Sequence, residues 1–548
     1  MWLLLIELAV AWIFIMLASL HYIHMLQLES YQIDGYFRHL KRTKTEWNGW
    51  QLICGAACLV VHIVLPLIVT SFFTGERSQS TVISHFIVIA FFAGYTLYNV
   101  LKERKAPKKK PLVYTQRVKR LLAVQAGVLL VILALLMLIL QHEDEGGLRV
   151  TYITPFAFIA LTPLLPMASA KCAEPIEERI NAGFFVSAQS KLNARKDLIK
   201  IGITGSYGKT GTKFALATIL SVKYRVLTSE SSINTPMGLS KIINNHLEKD
   251  HEVFIAEMGA RHIGDITELT QLVHPTVGLI TSVGPQHLET FGTVANVAKT
   301  KYELISALPK DGIAVFASDG AWVDKMYDKA PCEKLKSGVG EGDYDMWAED
   351  IDVGSFGSRF TLKCKTGESI MCETKLLGRH SISNLVLCCC AAKRLGLTMD
   401  EIAAGVEKIK PVEHRLQLIP GELNVIDDAF NSNPSGAKEA LNVLSSFPGK
   451  HLIITPGMVE MGEDEDKYNY ELGKQIAEAC DAAILVGPRH TKPILQGMLK
   501  QGFDESRILT VTTLDEATTH IRDYIGPGDA VLFENDLPDN YNESEQKN

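Results

Sequence analysis

The pattern of apolar and polar residues divides the chain into an apolar N-terminal part and a longer part of mixed character. Within residues 1–170, apolar stretches of about 20 residues alternate with polar loops. These stretches cover residues 2–20, 51–73, 83–101, 121–140 and 151–170. Because about 20 apolar residues are needed for a helix to cross a bilayer, this part predicts an α-helical membrane domain of about five spans.

Basic residues in two loops predict the orientation of this membrane domain. The loop at 21–50 contains four basic side chains, and the loop at 101–120 contains nine. Positively charged loops stay on the cytoplasmic side, where they meet the anionic headgroups of the lipid bilayer. We therefore expect a multi-pass protein of the cell membrane, with its N-terminus outside and everything after Lys171 in the cytoplasm.

From Lys171 onwards the pattern is that of an α/β protein. Apolar residues at roughly helical spacing predict a linker helix at 171–196. Short β-rich apolar runs follow at 224–228, 252–256 and 276–281, separated by helical or turn segments. This alternation is typical of a parallel sheet covered by helices, and such sheets bind ligands at the carboxyl ends of their strands.

A glycine-rich stretch at 201–213 lies between a predicted strand and a predicted helix that begins near Lys209. It predicts an ATP site, because backbone N–H groups and a helix N-terminus converge there on phosphate. Lys209 would add a charge for the terminal phosphates, and the Thr210 hydroxyl is placed to bind Mg2+. The spacing Gly-x-x-Gly-Lys-Thr is shorter than the usual phosphate-loop pattern, so a purely structural turn is the alternative. The nucleotide-binding candidates are Gly205, Ser206, Tyr207, Gly208, Lys209, Thr210 and Gly211.

Three further polar residues are predicted at the same edge of the sheet. Glu257 ends a strand, His287 follows the next strand, and Lys301 lies fourteen residues further on. Each residue alone has an ordinary interpretation, as a surface carboxylate, a core histidine or a solvated lysine. Together with a phosphate loop they predict a metal-assisted site for phosphoryl transfer.

Composition and charge narrow the functional classes. The net charge of −7 gives no indication of nucleic-acid binding. The ten cysteines show no metal-ligand spacing, so we interpret them as small core residues in a reducing compartment.

Five motifs resemble, in this order, those of the Mur ligases, which are ATP-dependent amide-forming enzymes of peptidoglycan synthesis. They lie at 203–210, 257–260, 287–289, 378–384 and 427–434. The resemblance covers residues 197–529 and is strongest to members that add D-alanyl-D-alanine to UDP-N-acetylmuramoyl-tripeptide. It implies a central P-loop ATPase domain at 197–376, a Rossmann-like C-terminal domain at 377–535 and a polar tail at 536–548.

The resemblance implies a mechanism that uses ATP, two Mg2+ ions and CO2. The acceptor carboxylate attacks the γ-phosphate of ATP, and an amine then displaces phosphate from the acyl phosphate to give an amide and ADP. By resemblance, Thr210 and Glu257 hold one Mg2+, and His287 helps to hold a second. Lys301 matches a lysine that CO2 converts into an anionic carbamate ligand, with Lys299 as the competing candidate.

Three later residues match family positions that meet the nucleotide. Asn384 matches a residue near the adenine, Arg415 an arginine that reaches the phosphates, and Asp428 an aspartate that closes over the site. The resemblance therefore implies that domain closure completes the site and excludes water. The catalytic candidates are Lys209, Glu257, His287, Lys301 and Asp428.

The soluble family members carry a uridine-binding domain where this chain has its apolar stretches, which leaves the acceptor open. The first interpretation is addition of D-alanyl-D-alanine to a muramoyl peptide. The second is the same chemistry, with that or another amino donor, on a lipid-linked or other membrane-associated carboxylate, beside other cell-wall enzymes. The third is a transporter or sensor with a cytoplasmic ATPase domain.

Overall fold

The computed structural model of the chain describes residues 2–29, 31–42, 90, 93–94, 97–98, 111–140, 162–354, 357–430, 432–459, 461 and 464–536. These residues form two compact units, one within Met1–Ile180 and one within Asn181–Leu537. The predicted span at 51–73 lies outside the described residues, as do most of 83–101, the first part of 151–170 and the polar tail after Asp536.

The N-terminal unit is helical. Its helices are α1 (Trp2–Leu28), α2 (Ile33–Arg42), α3 (Gln116–Leu140) and α4 (Leu165–Asn193), and a 3-10 turn at Thr162–Leu164 precedes α4. Apolar side chains of α1, α2 and α3 form a common core that includes Ile23, Tyr36 and Val118. Beside it, Arg120 of α3 donates to both carboxylate oxygens of Glu177 in α4, at 2.6 and 2.8 Å.

None of the helices in the described part of the chain combines the length and the apolar character that crossing a membrane requires. The predicted membrane domain of about five spans is therefore wrong. The multi-pass location in the cell membrane, the external N-terminus with the topology derived from it, and the contact with a lipid bilayer are wrong for the same reason.

The prediction failed because apolar length alone does not identify a span. An apolar stretch of about 20 residues is long enough to cross a bilayer, but a helix covered by other helices has a similar composition. α1 and α3 contact each other, and Trp12 Nε1 donates to the carbonyl of Ala126 at 3.2 Å. The end of the predicted fifth span and the predicted linker helix form one helix, α4, which carries charges such as Lys171 and Glu174.

A nine-stranded sheet forms the centre of the second unit. Its strands are β1 (Ile199–Thr204), β2 (Val226–Thr228), β3 (Val253–Glu257), β4 (Val277–Ile280), β5 (Ile313–Ala317), β6 (Glu333–Val339), β7 (Met346–Gly354), β8 (Gly357–Cys364) and β9 (Ser369–Thr374). They lie in the order β2-β3-β1-β4-β5-β6-β7-β8-β9. The first seven strands in this order are parallel, and β8 is antiparallel to both β7 and β9.

Helices cover both faces of this sheet. They are α5 (Lys209–Leu220), α6 (Pro236–His246), α7 (Asp265–Val273), α8 (Leu288–Phe291), α9 (Val294–Ser306), α10 (Ala321–Lys329), α11 (Arg379–Arg394) and α12 (Met399–Glu407). Successive strand residues point to opposite faces, so that Ile255 of β3 packs with α5 and α11 while Phe254 packs with α6 and α7. Although α11 and α12 follow Gly378, both pack on this central sheet.

A second, six-stranded sheet forms the C-terminal core. Its strands are β10 (Gln417–Ile419), β11 (Asn424–Asp428), β12 (His451–Thr455), β13 (Ala482–Val486), β14 (Ile508–Val511) and β15 (Ala530–Glu534), in the order β10-β11-β15-β12-β13-β14. The sheet is parallel except for β10. Its helices are α13 (Pro434–Ser445), α14 (Glu465–Ala479), α15 (Lys492–Lys500), α16 (Leu514–Thr519) and α17 (Ile521–Tyr524), with a 3-10 turn at Glu505–Arg507. Residues 408–416 connect the two cores.

Candidate active site

The loop between β1 and α5 has a backbone that requires glycine at two positions. Gly205 has a φ of 154° and Gly208 a φ of 78°. A Cβ atom at Gly205 would overlap Thr281 Oγ1, and one at Gly208 would overlap the side chain of Asn384. The two glycines therefore let the loop turn tightly and bring Asn384 of α11 against it.

The segment after β4 holds this loop in place. Thr281 Oγ1 donates to the carbonyl of Tyr207 at 2.6 Å, and the N–H groups of Tyr207 and Ser206 donate to Ser282 at 2.9 and 2.8 Å. These bonds occupy two of the N–H groups of the loop. The first N–H groups of α5, beginning at Lys209, have no partner within the helix and are the ones left for an anion.

Lys209 extends its side chain back over the loop. Its Nζ donates to the carbonyls of Gly205 at 2.7 Å and Ser206 at 3.0 Å. Desolvation lowers the pKa of Lys209 to about 8, although the charge of Glu257 opposes this effect. A phosphate group at this position would give the ammonium group of Lys209 a negatively charged partner.

Glu257 is a buried carboxylate at the end of β3, with 1% of its surface exposed. Its Oε1 accepts hydrogen bonds from Thr210 Oγ1 at 3.1 Å and from Asn234 Nδ2 at 3.3 Å. Within the described part of the chain, Oε2 has no hydrogen-bond partner and meets only the ammonium group of Lys213, at 3.3 Å. A hydroxyl and a carboxylate in contact fit the oxygen ligands that Mg2+ prefers.

Lys213 belongs to this site, although no motif in the sequence pointed to it. It is fully buried, and its Nζ donates to Ser229 Oγ at 2.7 Å and to the carbonyl of Ser231 at 2.5 Å. Burial lowers its pKa, and the contact with Glu257 opposes this effect. A signal was available, because Lys213 follows Lys209 by four residues in α5 and residues at this spacing share one helix face.

Lys301 is a fully buried residue of α9, and its Nζ has no hydrogen-bond partner among the described residues. Burial and the nearby charge of Lys209 lower its pKa well below the usual value. Its surroundings therefore favour the neutral amine over the ammonium form. The competing candidate, Lys299, lies on the exposed side of the same helix.

One cavity of about 500 Å3 brings most of the predicted residues together. The predicted residues that line it are Ser206, Tyr207, Gly208, Lys209, Thr210, Gly211, Glu257, His287, Asn384, Arg415 and Asp428. His287 stands at the start of α8, where its backbone has a φ of 49°. Gly205 and Lys301 are not among the lining residues, but Lys301 is close enough to Lys209 for the charge of Lys209 to lower its pKa.

Arg415 is held on the C-terminal side of the cavity by an unusual backbone. Its neighbours His414 and Leu416 have φ values of 60° and 46°, a region that costs energy for residues other than glycine. Two bonds fix this segment: the N–H of Leu416 donates to Asp428 Oδ1 at 3.0 Å, and the N–H of Phe430 donates to the carbonyl of His414 at 3.1 Å. The guanidinium carbon of Arg415 lies 4.0 Å from the centre of the Phe430 ring.

Phe430 and Glu534 are two further residues near the cavity that were not predicted from the sequence. Phe430 lies within the motif at 427–434, and Glu534 is a buried carboxyl group that ends β15 beside Asp428. Glu534 could have been predicted in the same way as Glu257, because each is a carboxylate at the end of a buried parallel strand.

Comparison with known proteins agrees with this arrangement. The Mur ligase middle domain matches residues 203–392, and the Mur ligase, glutamate ligase domain matches residues 414–534. The MurF ligase from Thermotoga maritima in complex with ADP has a TM-score of 0.57 and 25% identity, covering 65% of this chain and 80% of that chain.

Two relatives carry the name UDP-N-acetylmuramoyl-tripeptide–D-alanyl-D-alanine ligase. That from Bacillus subtilis is 28% identical over 61% of this chain and 72% of its own length. That from Escherichia coli is 30% identical over 57% of this chain and 69% of its own length. The order of the motifs, the two matched domains and these relatives together show that the chain belongs to the Mur ligase family of ATP-dependent, ADP-forming ligases.

Proposed function

We propose that the chain joins D-alanyl-D-alanine to the terminal carboxylate of a UDP-linked muramoyl tripeptide in peptidoglycan synthesis. The observation that carries the proposal is the contact of Thr210 with the buried Glu257 at the end of a phosphate loop, in a cavity that Arg415 also lines. The names of both relatives support this choice of acceptor and amine.

The cavity supplies the positive charge that this reaction needs. The acceptor carboxylate and the triphosphate are both anionic, so they repel each other unless cations lie between them. Lys209 and Arg415 line the cavity from its two sides. Lys209 and the N-terminus of α5 would bind the phosphates from the central side, and Arg415 would reach them from the C-terminal side.

Two bond changes follow in sequence. In the first, an oxygen of the acceptor carboxylate forms a bond to the γ-phosphorus of ATP, and the bond from that phosphorus to the departing ADP oxygen breaks. In the second, the ammonium group of the dipeptide first loses one proton to water, and the resulting amine forms a bond to the acyl carbon. The bond from that carbon to the phosphate oxygen then breaks, inorganic phosphate leaves, and the nitrogen loses a second proton to water, which leaves one N–H in the amide. Closure of the two cores over the cavity would protect the acyl phosphate from water.

Thr210 and Glu257 would hold one Mg2+ ion, since their oxygens are in contact and Glu257 Oε2 has no hydrogen-bond partner among the residues described. His287, which lines the same cavity, would contribute to a second ion. The ions would neutralise charge on the phosphates. Until an ion binds, Lys213 keeps the Glu257 carboxylate neutralised.

Lys301 would react with CO2 to form a carbamate. Burial favours its neutral amine, which is the form that can add to CO2; a nitrogen–carbon bond forms and the nitrogen loses a proton. The product is an anionic oxygen ligand on a side chain that otherwise lacks a partner in the described structure.

The carbamate is tested by 13C NMR on protein equilibrated with 13C-labelled bicarbonate. We expect a carbamate resonance in the wild type and in the exposed control Lys299→Ala, and none in Lys301→Ala. A resonance that survives in Lys301→Ala but disappears in Lys299→Ala would reverse the assignment of the two lysines.

The proposed reaction is tested by ADP release with UDP-N-acetylmuramoyl-tripeptide and D-alanyl-D-alanine, followed by mass spectrometry of the product. We expect ADP release only when both substrates are present, and a product whose mass equals the tripeptide nucleotide plus the dipeptide minus water. Glu257→Gln should lose this activity, whereas the exposed control Glu505→Gln should keep it. Ligation of a different amine, with no turnover of the dipeptide, would overturn the choice of substrate but not the ligase chemistry.

The transporter or sensor is replaced by membership of a ligase family. The same chemistry on a lipid-linked acceptor remains the second candidate, because neither matched domain covers the residues before 203, where the soluble family members carry a uridine-binding domain.

A further inference from the structure

Two carboxyl groups stand side by side at the carboxyl edge of the C-terminal sheet. β11 and β15 are parallel neighbours, and their register pairs Asp428 with Glu534 at the last position of both strands. Paired residues of neighbouring strands project from the same face of a sheet, so the two side chains are adjacent. Asp428 lines the cavity, while Glu534 lies behind it.

The surroundings of Glu534 do not support a negative charge. The residue is fully buried, and its Oε1 accepts one hydrogen bond, from Ser432 Oγ at 2.6 Å. Within the described part of the chain, no group donates a hydrogen bond to Oε2. An ionised carboxylate in such a place is costly because burial removes it from water without offering a cation in exchange.

The surroundings of Asp428 favour a charge more strongly. Its Oδ1 accepts a hydrogen bond from the N–H of Leu416 at 3.0 Å, and Arg415 contributes a positive charge nearby. Asp427 is the other acidic neighbour, and its own carboxylate is paired with His414 at 2.7 Å. Of the two adjacent carboxyl groups, Asp428 is therefore the better site for a single negative charge.

We propose that Glu534 stays protonated and donates its O–H to the Asp428 carboxylate, so that the two groups share one proton and carry one negative charge. Glu534 is then a positioning residue that acts through Asp428. The charge state stands on the geometry of the sheet, and only its relevance to ligation rests on the proposed function.

The direction of both pKa values agrees with a shared proton. Burial and the charge of Asp428 raise the pKa of Glu534 well above its usual value. Burial also raises the pKa of Asp428 to about 6, although the Leu416 N–H and Arg415 oppose this effect. The two groups titrate as one unit, in which the loss of the second proton is strongly disfavoured.

The shared proton has a consequence for Arg415. Two full negative charges beside its guanidinium would compete with phosphate for that cation. When the Asp428–Glu534 pair carries a single charge, Asp428 still accepts the hydrogen bond from the N–H of Leu416 and so holds the backbone next to Arg415. The guanidinium group of Arg415 can then still attract an anion in the cavity.

The first test is infrared spectroscopy of the wild type between pH 5 and pH 10. We expect the C=O band of a protonated carboxyl group to persist at pH 7, to be lost only at higher pH, and to be missing in Glu534→Gln. In Asp428→Asn, Glu534 no longer faces a carboxylate, so its band should disappear at a lower pH than in the wild type. Absence of this band from the wild type at pH 7 would overturn the proposal. That measurement uses only the wild-type protein, so it does not depend on whether a variant folds.

The second test is the pH dependence of the melting temperature of Glu534→Gln. Because the folded pKa of Glu534 lies above the unfolded value of about 4.3, the unfolded chain loses this proton first, and stability falls as the pH rises from about 4.3 to the folded pKa and changes no further above it. Glutamine cannot ionise and can still donate to Asp428. Over that pH range the melting temperature of Glu534→Gln relative to the wild type should therefore rise, by roughly 3–5 °C for each pKa unit of the shift.

Glu505→Gln is the matched control, because Glu505 is exposed on the same domain. The difference in melting temperature between Glu505→Gln and the wild type should not change above pH 6. A difference for Glu534→Gln that is equally flat would contradict the shared proton. Neither measurement uses ligation. A wrong choice of substrate therefore leaves both results unchanged, whereas failure of both with intact ligation refutes the shared proton alone.

Discussion

The two sides of the cavity are constructed in different ways. On the central side, Lys209 and Thr210 follow a loop whose shape depends on two glycines and on the neighbouring segment after β4. On the C-terminal side, Arg415 lies between two residues with left-handed backbones and depends on Phe430 and Asp428, which are more than ten residues away.

This difference predicts how each side responds to substitution. A change on the central side removes a group that would contact phosphate or metal directly. A change on the C-terminal side mainly removes support from Arg415, whose charge remains. The effects should therefore be large on the central side and small on the C-terminal side.

The largest effect is expected for Lys209→Met. Loss of the cation over the phosphate loop should reduce the rate of ADP formation by about 100- to 1,000-fold, the range found when one preorganised group that stabilises transition-state charge is removed. The melting temperature should not fall, because Lys209 is desolvated at a cost in the free protein. Steady-state rates and thermal unfolding measure both quantities.

Lys299→Met is the control for this change, since that lysine is exposed on α9 and should retain the wild-type rate. A fall of less than tenfold in Lys209→Met would mean that the central side does not depend on this cation.

Lys213→Met should lower stability rather than only activity. The substitution leaves the Glu257 carboxylate buried without its cation, and breaking a buried pair in this way costs about 3–5 kcal/mol. Urea denaturation, followed by the transition of the central core, measures the loss. The double variant Lys213→Met, Glu257→Gln should recover part of it, whereas strictly additive losses would show that the two residues are not coupled.

Gly208→Ala should weaken ADP binding about tenfold, or ~1.4 kcal/mol, because alanine at a positive φ is strained and its Cβ would displace Asn384. Gly292→Ala is a matched control: its φ of 72° is similar, but no atom of the described structure lies within 4 Å of the added Cβ. Calorimetry should find wild-type affinity for Gly292→Ala. Equal losses in both variants would point to general destabilisation instead of a change in the loop.

Phe430→Leu should have the smallest effect. It removes the ring under Arg415, an interaction worth about 0.5–1 kcal/mol at a partly exposed site, so the KM for ATP should rise roughly two- to fivefold. Phe430→Tyr keeps the ring and should remain close to the wild type. If both variants behave alike, the ring does not support the arginine.

The sequence was most informative where structure depends on local pattern. The apolar run predicted at 252–256 is β3 at Val253–Glu257, because a strand buried on both faces is continuously apolar. Lys209, Thr210 and Glu257 follow directly from a loop and a strand end, and the structure places all three on one cavity.

The sequence was least informative where contacts join distant segments. The pairing of Glu534 with Asp428 depends on β15 lying beside β11, which no spacing in the chain indicates. The packing of α11 on the central sheet and the contact between α1 and α3 are of the same kind.

Because α11 and α12 pack on the central sheet, residues 408–413 carry the chain from that sheet towards the C-terminal sheet, where the N–H of Phe430 holds the carbonyl of His414. A rotation of the C-terminal sheet about this short connector would move Arg415 with it. The distance between Arg415 and Lys209 would therefore change with the angle between the two sheets. A nucleotide bridging both side chains would fix that angle, so the opening of the enzyme and the release of ADP would be one motion.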